Sequence, residues 1–309
     1  MDKKAHFAAA GFALIFGFTF MFSKKALDLV SPMGLIAYRF LTAIVFFEII
    51  RRLKLVTIRF KKADLKMLFI VALFQPVLYF VLETYGLDRT TSAEAGMMIA
   101  LIPIFTTIFG SMILREKPAK IQLLFIGLSV FGIIFIQLFK IGSSIDIQWF
   151  GFILLLGAII SAAVYNIASR NASKTLRPHE ITYFMMLLGA VVFNLFYLIE
   201  LAVNGNIEIY ATNLRHTELL LPILYLGIVA SIGGFFLVNF ALGKLEAHVI
   251  SVYANLATVV AVIAGAVFLS ENILWYHYVG AFLIISGVYG TVRYNKIKRQ
   301  KAMLFNKQK

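Results

Sequence analysis

The chain has no cysteine, which excludes disulfides, thiol catalysis and cysteine-ligated zinc and leaves the redox compartment unread. Histidine is scarce. The five (His6, His179, His216, His248, His277) fall at the ends of apolar runs, with no Asp or Glu at metal-ligand or triad spacing. No Gly-rich phosphate loop of the Walker type is present, so ATP is not the direct energy source. No cofactor or metal is expected. Charge is also sparse, at 14% of residues against about 25% in soluble proteins.

What fills the chain instead is apolar. Hydrophobic residues make up 61% of the 309, more than a soluble fold can hide beneath a polar surface. The apolar stretches run to about 20 residues each, enough to cross a hydrocarbon core of roughly 30 Å. The expected fold class is an all-α polytopic membrane protein. A net charge of +14 would point to nucleic acid in a soluble protein. Here the basic residues sit in short connections and at the C-terminus, which fits anionic lipid, so no nucleic-acid partner is expected. Met1-Asp2-Lys3-Lys4 before an apolar run mimics a signal peptide. That run lacks a small-residue cleavage site and ends at Lys24-Lys25, so it reads as an uncleaved first span.

Ten spans are expected near 5–23, 33–51, 65–86, 93–114, 121–139, 149–169, 180–201, 219–240, 247–269 and 275–294. With the N-terminus inside, 23 Lys and Arg fall in inner connections and 5 in outer ones, and Arg39 lies within a span. The positive-inside rule then puts both termini in the cytoplasm and the protein in the cell membrane.

Residues 93–135 carry the plan. An apolar helix with Pro103 closes at Leu114-Arg115-Glu116, and a second helix carries Gly127 and Gly132. Shifted by 155 residues, the stretch recurs without a gap: Leu101 falls on Leu256, Gly110 on Gly265, Leu114 on Leu269, Glu116 on Glu271 and Gly132 on Gly287. Five spans per copy is odd, so the copies are inverted: residues 1–145 form one five-helix repeat and 146–309 the second, with a basic tail. Inverted repeats are the architecture of alternating-access transporters, which hold substrate near the midplane between the halves.

The mid-helix proline, the apolar run ending in Glu and the Gly-spaced helix resemble the EamA-type repeat of the drug/metabolite transporter superfamily. The second copy departs from it at Thr258, where the family usually has Pro. The resemblance implies a secondary transporter of small metabolites or amino acids, with a cavity lined by spans one, three, four, six, eight and nine. Export is the expected direction; a channel or scramblase of the same build, or an intramembrane enzyme, are the other readings.

Polar residues at depth name the candidate site, because a charge near the bilayer centre costs about 2.5–3.5 kcal/mol on insertion scales. The expected substrate contacts are Gln75, Tyr79, Met98, Phe235, Tyr253 and Asn255. Gln75 precedes Pro76 at the centre of span three, where proline frees a carbonyl. Gly233-Gly234 gives span eight a close-approach point, and spans one and six add Phe16, Thr19, Tyr165 and Asn166. Arg39 can hold a substrate carboxylate, pair with Glu83 or Glu94, or tether neighbouring carbonyls. Glu83 and Glu94 are the candidate carriers of a coupling proton. Pro103, Glu116 and Glu271 are read as structural parts of the repeat.

The topology is directly testable in a cysteine-free background. A single cysteine at position 140 or 215 should react with an impermeant maleimide in intact cells, and one at position 61 should not; labelling at 61 overturns the orientation.

Overall fold

The computed structural model describes residues 3–87, 101–114, 118–140, 149–268 and 274–307. Among these residues the structure is all-helical. Helix α1 spans Lys3–Leu27 and α2 Pro32–Arg52. Helix α3, Lys62–Gly86, is broken midway, and α4 is described over Ile102–Leu114. Then follow α5 (Lys120–Lys140), α6 (Trp149–Ala172) and α7 (Pro178–Val203). After a one-turn helix at Ile209–Asn213 come α8 (Thr217–Leu242), α9 (Ala247–Phe268) and α10 (Trp275–Lys307).

Six described stretches, in α1, α2, α3, α6, α7 and α8, are long and apolar enough to cross a membrane; shorter apolar stretches occupy α4, α5 and α9. The outer surface carries large apolar side chains such as Phe7 (77% exposed), Met112 (73%) and Phe282 (70%). Such a surface is at rest in lipid and not in water.

Local chemistry sets the helix starts. Ser31 caps α2, its hydroxyl accepting from the Gly34 N–H at 3.2 Å, with Pro32 in the first position. Helix α7 begins the same way at Pro178. There the Glu180 carboxylate accepts from the Arg177 N–H (2.8 Å) and from the Arg59 N–H of the preceding connection (3.1 Å). Helix α10 runs to Lys307, well past residue 294 where its apolar pattern ends. The extension is rich in Lys, Arg, Gln and Met, all good helix formers, which favours continuing the helix.

The polar connection between α7 and α8 folds back onto the bundle. Tyr38 donates to the Tyr210 carbonyl at 2.9 Å, and the Tyr210 hydroxyl donates to Asn194 Oδ1 at 2.6 Å. Packing interleaves the two sequence halves. Helix α2 lies on α7, α5 lies on α10, α1 packs against α8 and α9, and α6 packs against α3 and α4. Two glycines 155 residues apart bring the α5 and α10 backbones close together. A Cβ on Gly132 would meet the Gly280 carbonyl at 2.8 Å, and one on Gly287 would meet the Phe125 carbonyl at 2.6 Å.

That geometry makes Gly287→Ala destabilising by about 1–3 kcal/mol, because the added methyl would meet the Phe125 carbonyl and the Ser129 N and Cβ, none of them the far end of a flexible side chain. Gly127→Ala, whose Cβ meets nothing within 4 Å, should be neutral or slightly stabilising. Thermal melting in detergent compares the two, and equal Tm values would contradict the account.

Candidate functional site

The site grows from the break in α3. Gln75 has φ −149° and ψ 117°, an extended residue inside a helix, and the Gln75–Pro76 peptide is cis. An extended residue and a proline together take the backbone out of register, and the freed carbonyls need partners from elsewhere. Ser161 on α6 supplies one, its hydroxyl donating to the Phe74 carbonyl at 2.6 Å. The Tyr79 N–H donates back to the Phe74 and Pro76 carbonyls, and the helix resumes there. Gly189 on α7 leaves room for the bend, since a Cβ there would meet Pro76 at 2.9 Å and Phe40 at 2.6 Å.

Helix α8 is also irregular, widened into π-type turns over Tyr225–Gly234. A shift of 155 carries residues 73–78 onto 228–233, inside that segment. The Ser231 hydroxyl donates to the Leu226 carbonyl five residues back at 2.8 Å. Its oxygen accepts from Arg39 Nε, also at 2.8 Å.

Arg39 thereby joins three helices. It leaves α2, bonds α8 through Ser231, and lays its guanidinium over Phe80 of α3 with 4.7 Å to the ring centroid. It interacts electrostatically with Glu83, Tyr79 and Tyr225. Glu83 takes a hydrogen bond from the Tyr79 hydroxyl (3.3 Å), and among the described residues no carboxylate lies within 4.0 Å of the guanidinium. Among the described residues, the two terminal nitrogens of Arg39 and the amide of Gln75 find no hydrogen-bond partner, yet none of them is sealed from solvent-sized space. Gln75 itself is 8% exposed. Unspent donors at this depth are available to a ligand.

The aromatic wall stands one turn away. Phe235 is fully buried, edge-on to Phe16 at 5.3 Å and to Tyr165 at 6.3 Å between centroids. Gly234 lies directly under the Phe16 ring. The structure therefore brings Arg39, Gln75, Tyr79 and Glu83 to the helix break, with Phe235 one turn beyond Ser231.

Tyr253 and Asn255 are placed differently. The Tyr253 hydroxyl sits 3.0 Å from His6 Nδ1 on α1, and Asn255 Nδ2 donates to Ser129 Oγ on α5 at 2.9 Å. Both bonds join helices. Asn166 donates to Thr106 on α4 at 3.3 Å, and Thr19 bonds the Phe16 carbonyl of its own helix at 2.6 Å. Met98, Glu94, Glu116 and Glu271 lie outside the described residues. Pro103 stands at the start of the described part of α4. Sequence reasoning passed over Ser161, a mid-span hydroxyl on α6 whose partner is a backbone carbonyl of the broken helix.

The EamA-like transporter family model matches residues 3–138 and 149–293. The chain belongs to that family. As an EamA-like protein it is a multi-pass membrane protein, and its relatives carry transporter names. An "Uncharacterized transporter YcxC" of Bacillus subtilis is 34% identical over 93% of this chain and 92% of its own. A "Probable amino-acid metabolite efflux pump" of Salmonella typhimurium is 24% identical over 97% of this chain and 98% of its own. One solved crystal structure aligns with a TM-score of 0.77 at 16% identity, covering 93% of this EamA-like chain and 98% of the other, which shows a shared fold.

Ser161→Ala leaves the Phe74 carbonyl without its partner from α6. The expected cost is about 0.6 kcal/mol, the measured average for hydrogen bonds between helices in lipid, and at most about 1.7 kcal/mol, read as a lower Tm in detergent. Ser111→Ala, which loses only a bond to the Ile108 carbonyl of its own helix, serves as the comparison and should leave Tm unchanged.

Proposed function

We propose that this EamA-like protein is a secondary exporter of small zwitterionic metabolites, amino acids among them. It would work by alternating access on ten membrane-spanning helices, arranged as two inverted five-helix repeats with both termini in the cytoplasm. The family model's two matched stretches, either side of residues 139–148, support the two-repeat reading. So does the packing. Exchanging each helix for its counterpart five places on turns α1–α8 and α1–α9 into α6–α3 and α6–α4, and returns α2–α7 and α5–α10 to themselves.

The observation that carries the substrate class is Arg39 and Glu83 facing one interior region without being paired to each other. Arg39 offers two free nitrogens for a carboxylate, the strongest kind of neutral-pH hydrogen bonding. Glu83 offers a carboxylate for an ammonium group or, in the empty state, a site for a coupling proton. Tyr79, bonded to Glu83, and Gln75 one turn earlier on α3 add neutral donors and acceptors, and Phe80, Phe16 and Phe235 supply an apolar wall for a side chain. The name of the Salmonella relative is consistent with this chemistry.

Purified protein in liposomes tests the reading through a matched set: an amino acid, its decarboxylated amine and its deaminated acid. Only the zwitterion should be taken up saturably. Glu83→Gln should weaken it by about tenfold or more, since bonds to charged groups are worth about 1.5–3 kcal/mol; Gln75→Ala should cost several-fold, since a neutral bond is worth about 0.5–1.5 kcal/mol. Equal uptake of amine, acid and zwitterion overturns the substrate class, and flux linear in concentration would identify a channel instead.

A further inference from the structure

Outside the interior, the bundle has a groove of about 570 Å³ between α3 and α7, lined by Lys66, Phe69, Ile70, Leu73, Val77, Leu188 and Val192. All of the lining is apolar except the lysine at one end. On α3 the lining positions follow one stripe at helical spacing, and Lys62, one turn before Lys66, extends that stripe beyond the groove. The far end reaches Leu73 and Val77, on the broken turn that carries Gln75 and Pro76. The near end belongs to a connection with Arg59, Lys61, Lys62 and Lys66, all exposed.

The cations of this segment have no anion of their own. The two carboxylates beside them are used on backbone amides: Asp64 accepts from the Lys61 N–H at 2.9 Å, and Glu180 accepts from the Arg59 and Arg177 N–H groups. Among the described residues, no carboxylate lies within 4.0 Å of any of the four side chains. Four unneutralised cations at the mouth of an apolar groove on a membrane-facing surface describe one kind of occupant. It has an anionic head of about phosphate size and a hydrocarbon tail, and it lies parallel to the helices.

We propose that the α3–α7 groove binds one anionic phospholipid, its headgroup held by Lys62 and Lys66 and one acyl chain laid along Ile70, Leu73 and Val77 toward the helix break. Bulk membrane attraction would account for the charge alone, since basic segments at a bilayer surface gather anionic lipid. The groove adds a place for one chain, so binding is saturable and depends on shape as well as charge. The site is independent of the substrate reading and stands whichever solute the protein moves.

Native mass spectrometry of the full-length protein titrated with dioleoyl phosphatidylglycerol, and in parallel with dioleoyl phosphatidylcholine, reads the occupancy. One phosphatidylglycerol should be retained saturably and in preference to phosphatidylcholine. Each lysine at a membrane surface contributes roughly fivefold in affinity for anionic lipid, so K62Q/K66Q should bind about 25-fold more weakly. Lys298→Gln with Arg299→Gln, an equal charge change in the C-terminal segment, should bind as the wild type does. Leu188→Trp keeps the charges and fills the groove, and it should also lose the retained lipid. Equal retention of the two lipids, or equal loss in the lysine and C-terminal variants, leaves charge attraction only and overturns the site. Full retention in Leu188→Trp, with its lipid-free Tm unchanged, places the lipid elsewhere and overturns it too.

Discussion

A helix broken in hydrocarbon must find new partners for its freed backbone groups, because no water is there to take them. Much of the interior of this protein follows from that constraint. Helix α3 breaks at Gln75–Pro76 and α8 widens over Tyr225–Gly234. Each irregular segment is held by a serine hydroxyl: Ser161, from the neighbouring α6, for the Phe74 carbonyl, and Ser231, on α8 itself, for the Leu226 carbonyl. Arg39 bonds the second serine and lies over Phe80 just past the first break. The same residues that repair the backbone thus decide where a cation is held inside the membrane. The geometry of the polar region is a consequence of the repair.

The bolts elsewhere are of another kind. Asn239 on α8 accepts from Tyr165 (3.0 Å) and Ser169 (2.6 Å) of α6, and donates to Thr182 (3.0 Å) of α7. One amide therefore fixes three helices, and every polar atom it owns is used. Under the proposed repeat the counterpart contact would lie between α1 and α3, where no comparable interface exists.

The helices were legible in the sequence because lipid imposes a length and a composition on each. Observed ends extend the expected spans by a turn or less in most cases, as at Pro32–Arg52 against 33–51. Burial was legible too: Arg39, Gln75, Tyr79 and Phe235 all lie buried or half-buried in the interior. Direction was not. Tyr253 and Asn255 share that depth with the others, but successive residues of a helix point about 100° apart. Which of them meets α1, α5 or a cavity depends on how α9 is rotated against its neighbours. Ser161 was illegible because its partner is a carbonyl that becomes free only once Gln75 turns extended, a conformational event with no side-chain signature. Gln75, Tyr79 and Glu83 stand at i, i+4 and i+8, one stripe of a regular helix, and that spacing holds only beyond the break, where Tyr79 and Glu83 do meet.

What separates a binding group from a tether at equal depth is how much of its hydrogen-bonding capacity the fold has already used. A shift of 155 sets Asn194 opposite Arg39. Asn194 donates to the carbonyls of Ala37 (3.1 Å) and Ala190 (2.8 Å) and accepts from Tyr210 (2.6 Å), so it has little left to offer a ligand. Asn239 is in the same position. Arg39 has one of its donors committed and its two terminal nitrogens open; the Gln75 amide is open altogether. An unmade bond at a desolvated polar group costs about 1–3 kcal/mol, and more when the group is charged. Such groups are stable only if something that is not protein completes them. Water does so when the region is open, and a solute that displaces the water must bring a carboxylate or a carbonyl of its own.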